Sequence, residues 1–357
     1  MITRPLVILG TGRIARVLLN QLLARADYLR DRHALALPVA AVANSRYYAV
    51  GAPYLDDETL GSIAAGGLEE GERVPDAPAR QQSLLIDGVR AISERAIVVD
   101  LTASNSMTPL LLAALDGGFD AVLANKKPLC EGYDTFVRLT TNPRARIGYE
   151  ATVGAGLPVV ETLRGLYDAG DELLDVTACL SGTLAYVCTE LEDGRPLSAI
   201  VPEARRLGYT EPDPREDLGG ADVRRKALIL ARTMGQRLEM DDVPEAPLVT
   251  LDDGPLDAWL TGLSRHDAAL DERVRAAHEQ GLALRYVAHL VPGSCEVGLR
   301  EVPRSSAAGR LRGTDNLVTL RTSFYDERPL TVSGPGAGPA VTSAGVFGDL
   351  LRLAISG

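Results

Sequence analysis

A chain of 357 residues, 46% hydrophobic and 24% charged, is long enough for more than one lobe and apolar enough to bury a sizeable core. A net charge of −11, no run of Lys or Arg and only 4% aromatic residues exclude the basic footprint of a nucleic-acid binder. No apolar stretch is long enough to span a bilayer, the N-terminus MITRPLVILGTG has no signal-peptide architecture, and the four cysteines lack metal-ligand spacing, so a cytoplasmic protein with reduced thiols and no membrane partner is expected.

The first elements alternate. PLVIL (5–9) reads as a buried strand ending in glycines, and RIARVLLNQLLARADYL has helical periodicity. PVAAVAN (38–44) is a second strand, and residues 51–80, rich in Gly, Pro, Asp and Glu, read as loop and short helix. AIVVDLTA (96–103) and DAVLAN (120–125) are the third and fourth strands, separated by the helix MTPLLLAALDGG, which Gly117 and Gly118 close. Apolar strands separated by helices predict a parallel sheet covered on both faces, with ligands at the carboxyl ends of its strands. After Glu150 the pattern changes: a strand at 173–180, helices near 184–192, 196–207 and 221–235, four further strand-like runs, and an amphipathic helical tail. This predicts a second lobe of α+β type.

GTGRIA follows the first strand and opens a helix, fitting G-x-G-x-x-G/A with Gly10, Gly12 and Ala15. Gly10 permits the tight turn, Gly12 lets the backbone approach a pyrophosphate, and Ala15 packs helix on sheet. The helix N-terminus offers N–H groups to phosphate. At the end of the second strand stands Asn44-Ser45-Arg46, where an NAD-preferring site usually carries Asp or Glu. Arg46 can fork onto a 2′-phosphate, which favours NADP and leaves NAD compatible; a plain solvent-facing arginine is the competing reading.

The chemistry is expected elsewhere. In YTEPDPREDLGGADVRRK, the carboxylates Glu211, Asp213, Glu216 and Asp217 crowd a turn, and a helix then places Asp222 and Lys226 one turn apart beside the apolar stripe Val223, Ala227, Leu230, Ala231, with Arg225 nearly opposite. Partial desolvation of Lys226 would draw its amine toward the range of a general base, with Asp222 orienting it. A simple helical ion pair is the bland alternative. Asn125-Lys126-Lys127-Pro128 lies at the carboxyl end of the fourth strand, with Pro128 expected to keep Lys127 extended; an ordinary basic turn fits equally. In YEATVGAGLP (149–158), Gly154 and Gly156 allow a kinked backbone whose carbonyls, with the Glu150 carboxylate, can hold a hard monovalent cation; a tight turn without an ion is the alternative. GPGAG (334–338) opens the last helix, either with N–H groups toward a cofactor or as a plain turn.

Taken in order, GTGRIA, ANSR, NKK, YEATVGAGLP, SGTLAY, GYTEPDPREDLGGADVRRK and GPGAGPAVTSAGV make the chain resemble the homoserine dehydrogenases from Gly10 to Val346. The resemblance implies an α/β fold: a Rossmann-type parallel-sheet nucleotide-binding domain (1–150), a second α+β substrate and dimerisation domain (151–320), and a C-terminal segment (321–357) returning to the first. It implies NADP(H)-dependent interconversion of L-homoserine and L-aspartate 4-semialdehyde, in threonine and methionine biosynthesis. Lys226 resembles the catalytic lysine of that family, with Lys126 as the second active-site lysine and Asp222 beside them. Glu211, Asp217, Thr183 and Tyr209 resemble the contacts to the amino-acid substrate. Cofactor contacts fall on Gly10, Thr11, Gly12, Arg13, Ile14, Asn44, Arg46, Thr102, Lys126 and Gly338. Glu150 with the carbonyls of Val153, Ala155 and Leu157 resembles a sodium site. A homodimer is implied. No aspartate-kinase segment precedes Met1 and little follows the last helix, so feedback inhibition through an appended domain is not expected. Ala185, where the family more often carries Asn or Ser, removes a polar group beside Thr183.

Two rivals are tested against this reading. A phosphorylating semialdehyde dehydrogenase needs an activated thiol, for which Cys130 is the candidate, without a histidine partner in view. A non-catalytic nucleotide sensor of the same fold would be expected to lose Glu211, Asp222 and Lys226, and all three are present.

Overall fold

The computed structural model describes residues 1–73 and 83–355; the end of the 51–80 loop expectation lies outside them. The chain forms two units, Met1–Gly156 together with the chain from Gly338 onward, and Leu157–Ala337.

The first unit is built on strands β1 (Leu6–Leu9), β2 (Val39–Ala43), β3 (Tyr47–Val50), β4 (Glu72–Arg73), β5 (Ile97–Asp100), β6 (Asp120–Leu123) and β7 (Ile147–Gly148), in the order β4-β3-β2-β1-β5-β6-β7. β2, β1, β5, β6 and β7 pair in parallel, with Leu6 opposite Ile97 and Leu9 opposite Asp100. Within this sheet the parallel expectation holds for these five strands. β3 and β4 add an antiparallel edge, so the sheet is mixed. Every residue of β1, β2, β5 and β6 is buried, as continuous apolar runs require when helices cover both faces. Helix α1 (Arg13–His33) contributes Leu18, Leu19, Leu22 and Leu29 to that core, α2 (Asp57–Ala65) contributes Leu60 and Ile63, and α3 (Thr108–Asp116) and α4 (Tyr133–Thr140) follow β5 and β6. The chain order reverses at β1, which creates a switch-point crevice at the carboxyl ends of β1 and β5.

The C-terminal helix Pro339–Ile355 belongs to this unit. Val346, Leu350, Leu353 and Ala354 are buried in the same core as α1, and Ser343 donates to Gln21 of α1 at 2.6 Å. The return of the chain therefore starts at Gly338, not at residue 321.

The second unit carries the antiparallel sheet β10-β9-β8-β11-β12, formed by β8 (Leu173–Cys179), β9 (Leu282–Val291), β10 (Ser294–Pro303), β11 (Asp315–Thr322) and β12 (Leu330–Pro335). Because β12 pairs along β11, residues 321–337 stay with this unit. On one face Cys179, Val287 and Leu317 pack with Ala185 of α6 (Gly182–Glu192), which follows α5 (Val160–Asp168). The opposite face lies under α9 (Ala221–Thr233), which follows α7 (Leu197–Arg206) and the short α8 (Arg215–Leu218). The side chains of Val223, Ala227, Leu230 and Ala231 are all buried, as the stripe predicts.

Candidate active site

At the switch point, Gly10 has φ of +100°, and a Cβ there would lie 3.0 Å from the carbonyl carbon and oxygen of Leu101. No other residue type fits this crossing without strain. Gly12 caps α1 without a side-chain hydrogen bond, no acid occupies the first turn, and a Cβ on Gly12 would meet nothing within 4 Å. A helix N-terminus with that clearance is suited to a phosphate. Thr11 is tied to the next loop by Asn44, whose Nδ2 donates to Thr11 Oγ1 at 3.1 Å. Asn44 Oδ1 accepts the backbone N–H groups of Arg46 and Tyr47, each at 2.8 Å. This turn presents Arg46 on the surface at the end of β2. Arg13 is likewise exposed, Ile14 is half-buried, and Gly338, with φ of +116°, starts the C-terminal helix, its carbonyl accepting from Thr342 N at 3.0 Å.

The ends of β5 and β6 are fastened together by Asn125. Its Nδ2 lies 3.0 Å from Asp100 Oδ2, 3.3 Å from Thr102 Oγ1 and 2.9 Å from Ser104 O. Burial raises the pKa of Asp100, while the Thr102 N–H and Asn125 pull it back. The sequence marked Asn125 only as part of a lysine turn; a side chain bridging two strand ends leaves no periodic signal. Asn125 Oδ1 accepts Lys127 N at 3.1 Å, and Lys127 Nζ donates to Ala103 O at 2.6 Å. Lys127 is therefore not extended before Pro128 but opens a 3₁₀ turn, Lys127–Cys130, because this local bonding outweighs the pre-proline preference. Lys127 is spent on loop anchoring, and Lys126, half-buried, precedes that turn.

Glu150, Val153 and Ala155 belong to the first unit; Leu157 begins the second. Glu150 is buried and its backbone N–H donates to Asp349 Oδ2 at 2.9 Å. Gly154 and Ala155 both have positive φ, +78° and +59°, so the kink expected between Val153 and Leu157 is present and is carried partly by a non-glycine residue.

In the second unit, Lys226 Nζ donates to the Leu180 carbonyl at 2.7 Å and pairs with Asp222 Oδ2 at 2.9 Å, and its side chain is 12% exposed. The ammonium end is thus held between the end of β8 and the first turn of α9. Arg225 does not point away from this pair: its Nη2 lies 3.8 Å from Asp222 Oδ1, within reach of a long i+3 arm. Thr183, in the first turn of α6, lies 2.5 Å from Tyr209 O and 3.1 Å from Asp217 Oδ1. Glu211 N donates to Asp217 Oδ2 at 2.8 Å. Burial raises the pKa of Asp217, and the charges of Glu211 and Asp222 push the same way. Glu211 and Asp222 thus lie close enough to Asp217 for their charges to act on it. Tyr209 rests edge-on against Tyr186, with ring centroids 5.1 Å apart.

Asp213 leaves this group. Arg215 holds it with Nε at 3.0 Å and Nη2 at 2.6 Å, which keeps its carboxyl below the usual range, and the same guanidinium donates to the carbonyls of Asp252 and Gly254. Gly220 sets where α9 begins. Its φ is +83°, and a Cβ there would lie 1.9 Å from the hydroxyl of Tyr286, which donates to Ala246 O at 2.8 Å. Burial holds the thiols of Cys179, Cys188 and Cys295 protonated, pushed up to about 12, 11 and 12, so three of the four cysteines offer no nucleophile. No helix of the described residues is long and apolar enough to cross a membrane.

Comparison with known proteins places both units. Residues 10–150 match the family model described as homoserine dehydrogenase, NAD binding domain, and residues 158–351 match the model described as homoserine dehydrogenase. The bifunctional aspartokinase/homoserine dehydrogenase 2 of Zea mays is 38% identical over 355 residues, and the bifunctional enzyme of Haemophilus influenzae 34% over 352. Each alignment covers 97% of this chain, which spans 38% and 42% of those two relatives. Among solved structures, a putative homoserine dehydrogenase from Archaeoglobus fulgidus superposes with a TM-score of 0.77 at 26% identity, covering 98% of this chain and 99% of its own. A Candida auris protein of unknown function superposes with a TM-score of 0.89 at 27% identity, covering 99% of both chains. A glycine turn cleared for a dinucleotide, a clamped lysine amine among carboxylates and two matching family models converge on one assignment: the chain belongs to the homoserine dehydrogenase family.

Proposed function

We propose that this chain interconverts L-homoserine and L-aspartate 4-semialdehyde with a nicotinamide dinucleotide, NADP(H) being favoured over NAD(H). The observation that carries the reading is the Lys226 amine held by Leu180 O and Asp222 beside the carboxylates Glu211 and Asp217. Those carboxylates receive the substrate ammonium, and Thr183 and Tyr209 shape its seat. A nicotinamide dinucleotide, when bound, would supply the hydride acceptor for the carbinol carbon and the hydride donor for the aldehyde carbon. Lys226 handles the proton. As a neutral amine its two N–H bonds match Leu180 O and Asp222, and its lone pair takes the hydroxyl proton as the carbonyl forms. In the reverse direction the ammonium protonates the new alkoxide and its charge stabilises it. Lys126 assists from the end of β6, and Gly10 to Ile14, Asn44, Arg46, Thr102 and Gly338 hold the dinucleotide. The absence of an acid at the end of β2, with Arg46 exposed there, supports the NADP preference.

Three narrower assignments belong to the same reading. Glu150 and the carbonyls of Val153, Ala155 and Leu157 bind a sodium ion, the protein is a homodimer, and its place is threonine and methionine biosynthesis. The decisive assay follows nicotinamide absorbance with L-homoserine, with each cofactor, in sodium and in tetramethylammonium buffers. Lys226→Ala is expected to lower turnover by about 10²–10⁴-fold with cofactor affinity intact. Unchanged turnover removes Lys226 from the chemistry.

A further inference from the structure

Asn316 is 1% exposed, and among the described residues neither its amide nitrogen nor its amide oxygen has a hydrogen-bond partner. Buried carboxamides are otherwise paired, because leaving both ends unmet forfeits the hydration each would have in water. Its position in the fold gives this a meaning. β8 pairs with β9 through Ala178 and Ala288, and with β11 through Cys179 and Leu317. Two further steps in the first register and one in the second set Leu180 between Tyr286 on one side and Asn316 on the other. Leu180 is the residue whose carbonyl receives Lys226 Nζ. Neighbouring strands lie about 4.8 Å apart, so the orphan amide stands one strand from the lysine's anchor. Side chains alternate along a strand, which puts Asn316 on the face of Val318 and Leu320, opposite Leu317. That is the face covered by α9, the helix that carries Lys226.

A glycine turn closes over the group. A Cβ on Gly336 would fall 1.9 Å from Asn316 Cγ and 2.1 Å from Nδ2, so only glycine lets the turn lie on the carboxamide. The turn supplies no hydrogen bond in return. It follows directly on β12, in which Gly334 is the register partner of Asn316 and Pro335 is the last residue.

We propose that Asn316 is a substrate-contacting residue whose Nδ2–H donates to the reacting oxygen beside Lys226, becoming paired when the turn at Gly336 and Ala337 lifts to admit substrate. The proposal rests on the dehydrogenase reading above. When the hydroxyl proton passes to Lys226, negative charge collects on the oxygen left behind, and a neutral amide donor stabilises it without titrating or competing for the proton. Lys226 moves the proton and Asn316 holds the oxygen.

Asn316→Leu, similar in volume and without polar atoms, separates this role from a structural one. Expected is a melting temperature equal to or above that of the native protein, since an unmet amide is gone. Turnover falls about 10²-fold, KM for L-homoserine stays within threefold, and NADP affinity by fluorescence titration is unchanged. Turnover within twofold of native overturns the proposal. So does a raised KM with native turnover, which would place the amide on a part of the substrate away from the reacting oxygen. A second measurement needs no active variant. The side-chain amide signal of Asn316 in ¹⁵N-asparagine-labelled native protein, assigned with Asn316→Ala, is expected to shift when L-homoserine is added with NADP, and an unmoved signal overturns the contact. Native protein that fails to oxidise L-homoserine at all overturns the dehydrogenase reading and this proposal with it, whereas failure confined to the Asn316 measurements leaves that reading standing.

Discussion

Replacing Gly220 with alanine tests how the second unit fixes its lysine. Gly220 lies in the left-handed region, where an L-residue costs about 1–2 kcal/mol. The added methyl would sit 1.9 Å from Tyr286 Oη; relieving such an overlap in a packed site costs about 1–3 kcal/mol. Displacing the hydroxyl also breaks its bond to Ala246 O, worth about 0.5–1.5 kcal/mol. Alanine stiffens the unfolded chain and returns about 0.4–1 kcal/mol. The net expectation is a loss of about 1.5–6 kcal/mol, read as a fall in the urea midpoint with an unchanged slope. Tyr286→Phe removes the nearest atom and its hydrogen bond and leaves the ring Cζ at 2.9 Å, so in that background the same glycine substitution should cost clearly less than in the native protein. A cost below about 1 kcal/mol in the native background, or an equal cost in both, would refute the steric argument.

Arg46→Ala is expected to raise KM for NADP about tenfold or more while leaving NAD within twofold, since one charge-assisted contact to a 2′-phosphate is lost; equal effects on both cofactors would return Arg46 to an ordinary surface role. Asp217 supplies a pH test. Burial raises its folded pKa, so between the unfolded value near about 3.9 and the higher folded one the native state binds more protons. Native stability therefore declines as pH rises through that window and levels off above it. Asp217→Asn, whose amide can donate to Thr183 Oγ1, should lack this decline, so its stability relative to the native protein should grow with pH across the window. A parallel offset at every pH would contradict the burial argument.

The first unit was open to reading because its central strands are unbroken apolar runs. Such strands are buried on both faces whatever their neighbours do, and each predicted strand is present within a few residues. The edge strand Tyr47–Val50 escaped because its residues are half-exposed without alternation, leaving no period to detect. Asp222 and Lys226 were visible as a pair because helix geometry makes i and i+4 neighbours. Their anchor was not, since a side chain reaching a backbone carbonyl 46 positions away imposes nothing on the residue type at Leu180. The capture of Asp213 by Arg215 and the bridging by Asn125 were hidden for the same reason. Composition reveals which groups can bond, and only the tertiary path reveals which of them do.

The helix Pro339–Ile355 seats against α1, from the opposite end of the chain, and shares its core. A polypeptide leaving the ribosome presents the whole of residues 157–337 before that helix exists. The nucleotide lobe, begun first, is thus finished last, and its apolar groove along α1 must wait in water through the synthesis of the entire other lobe.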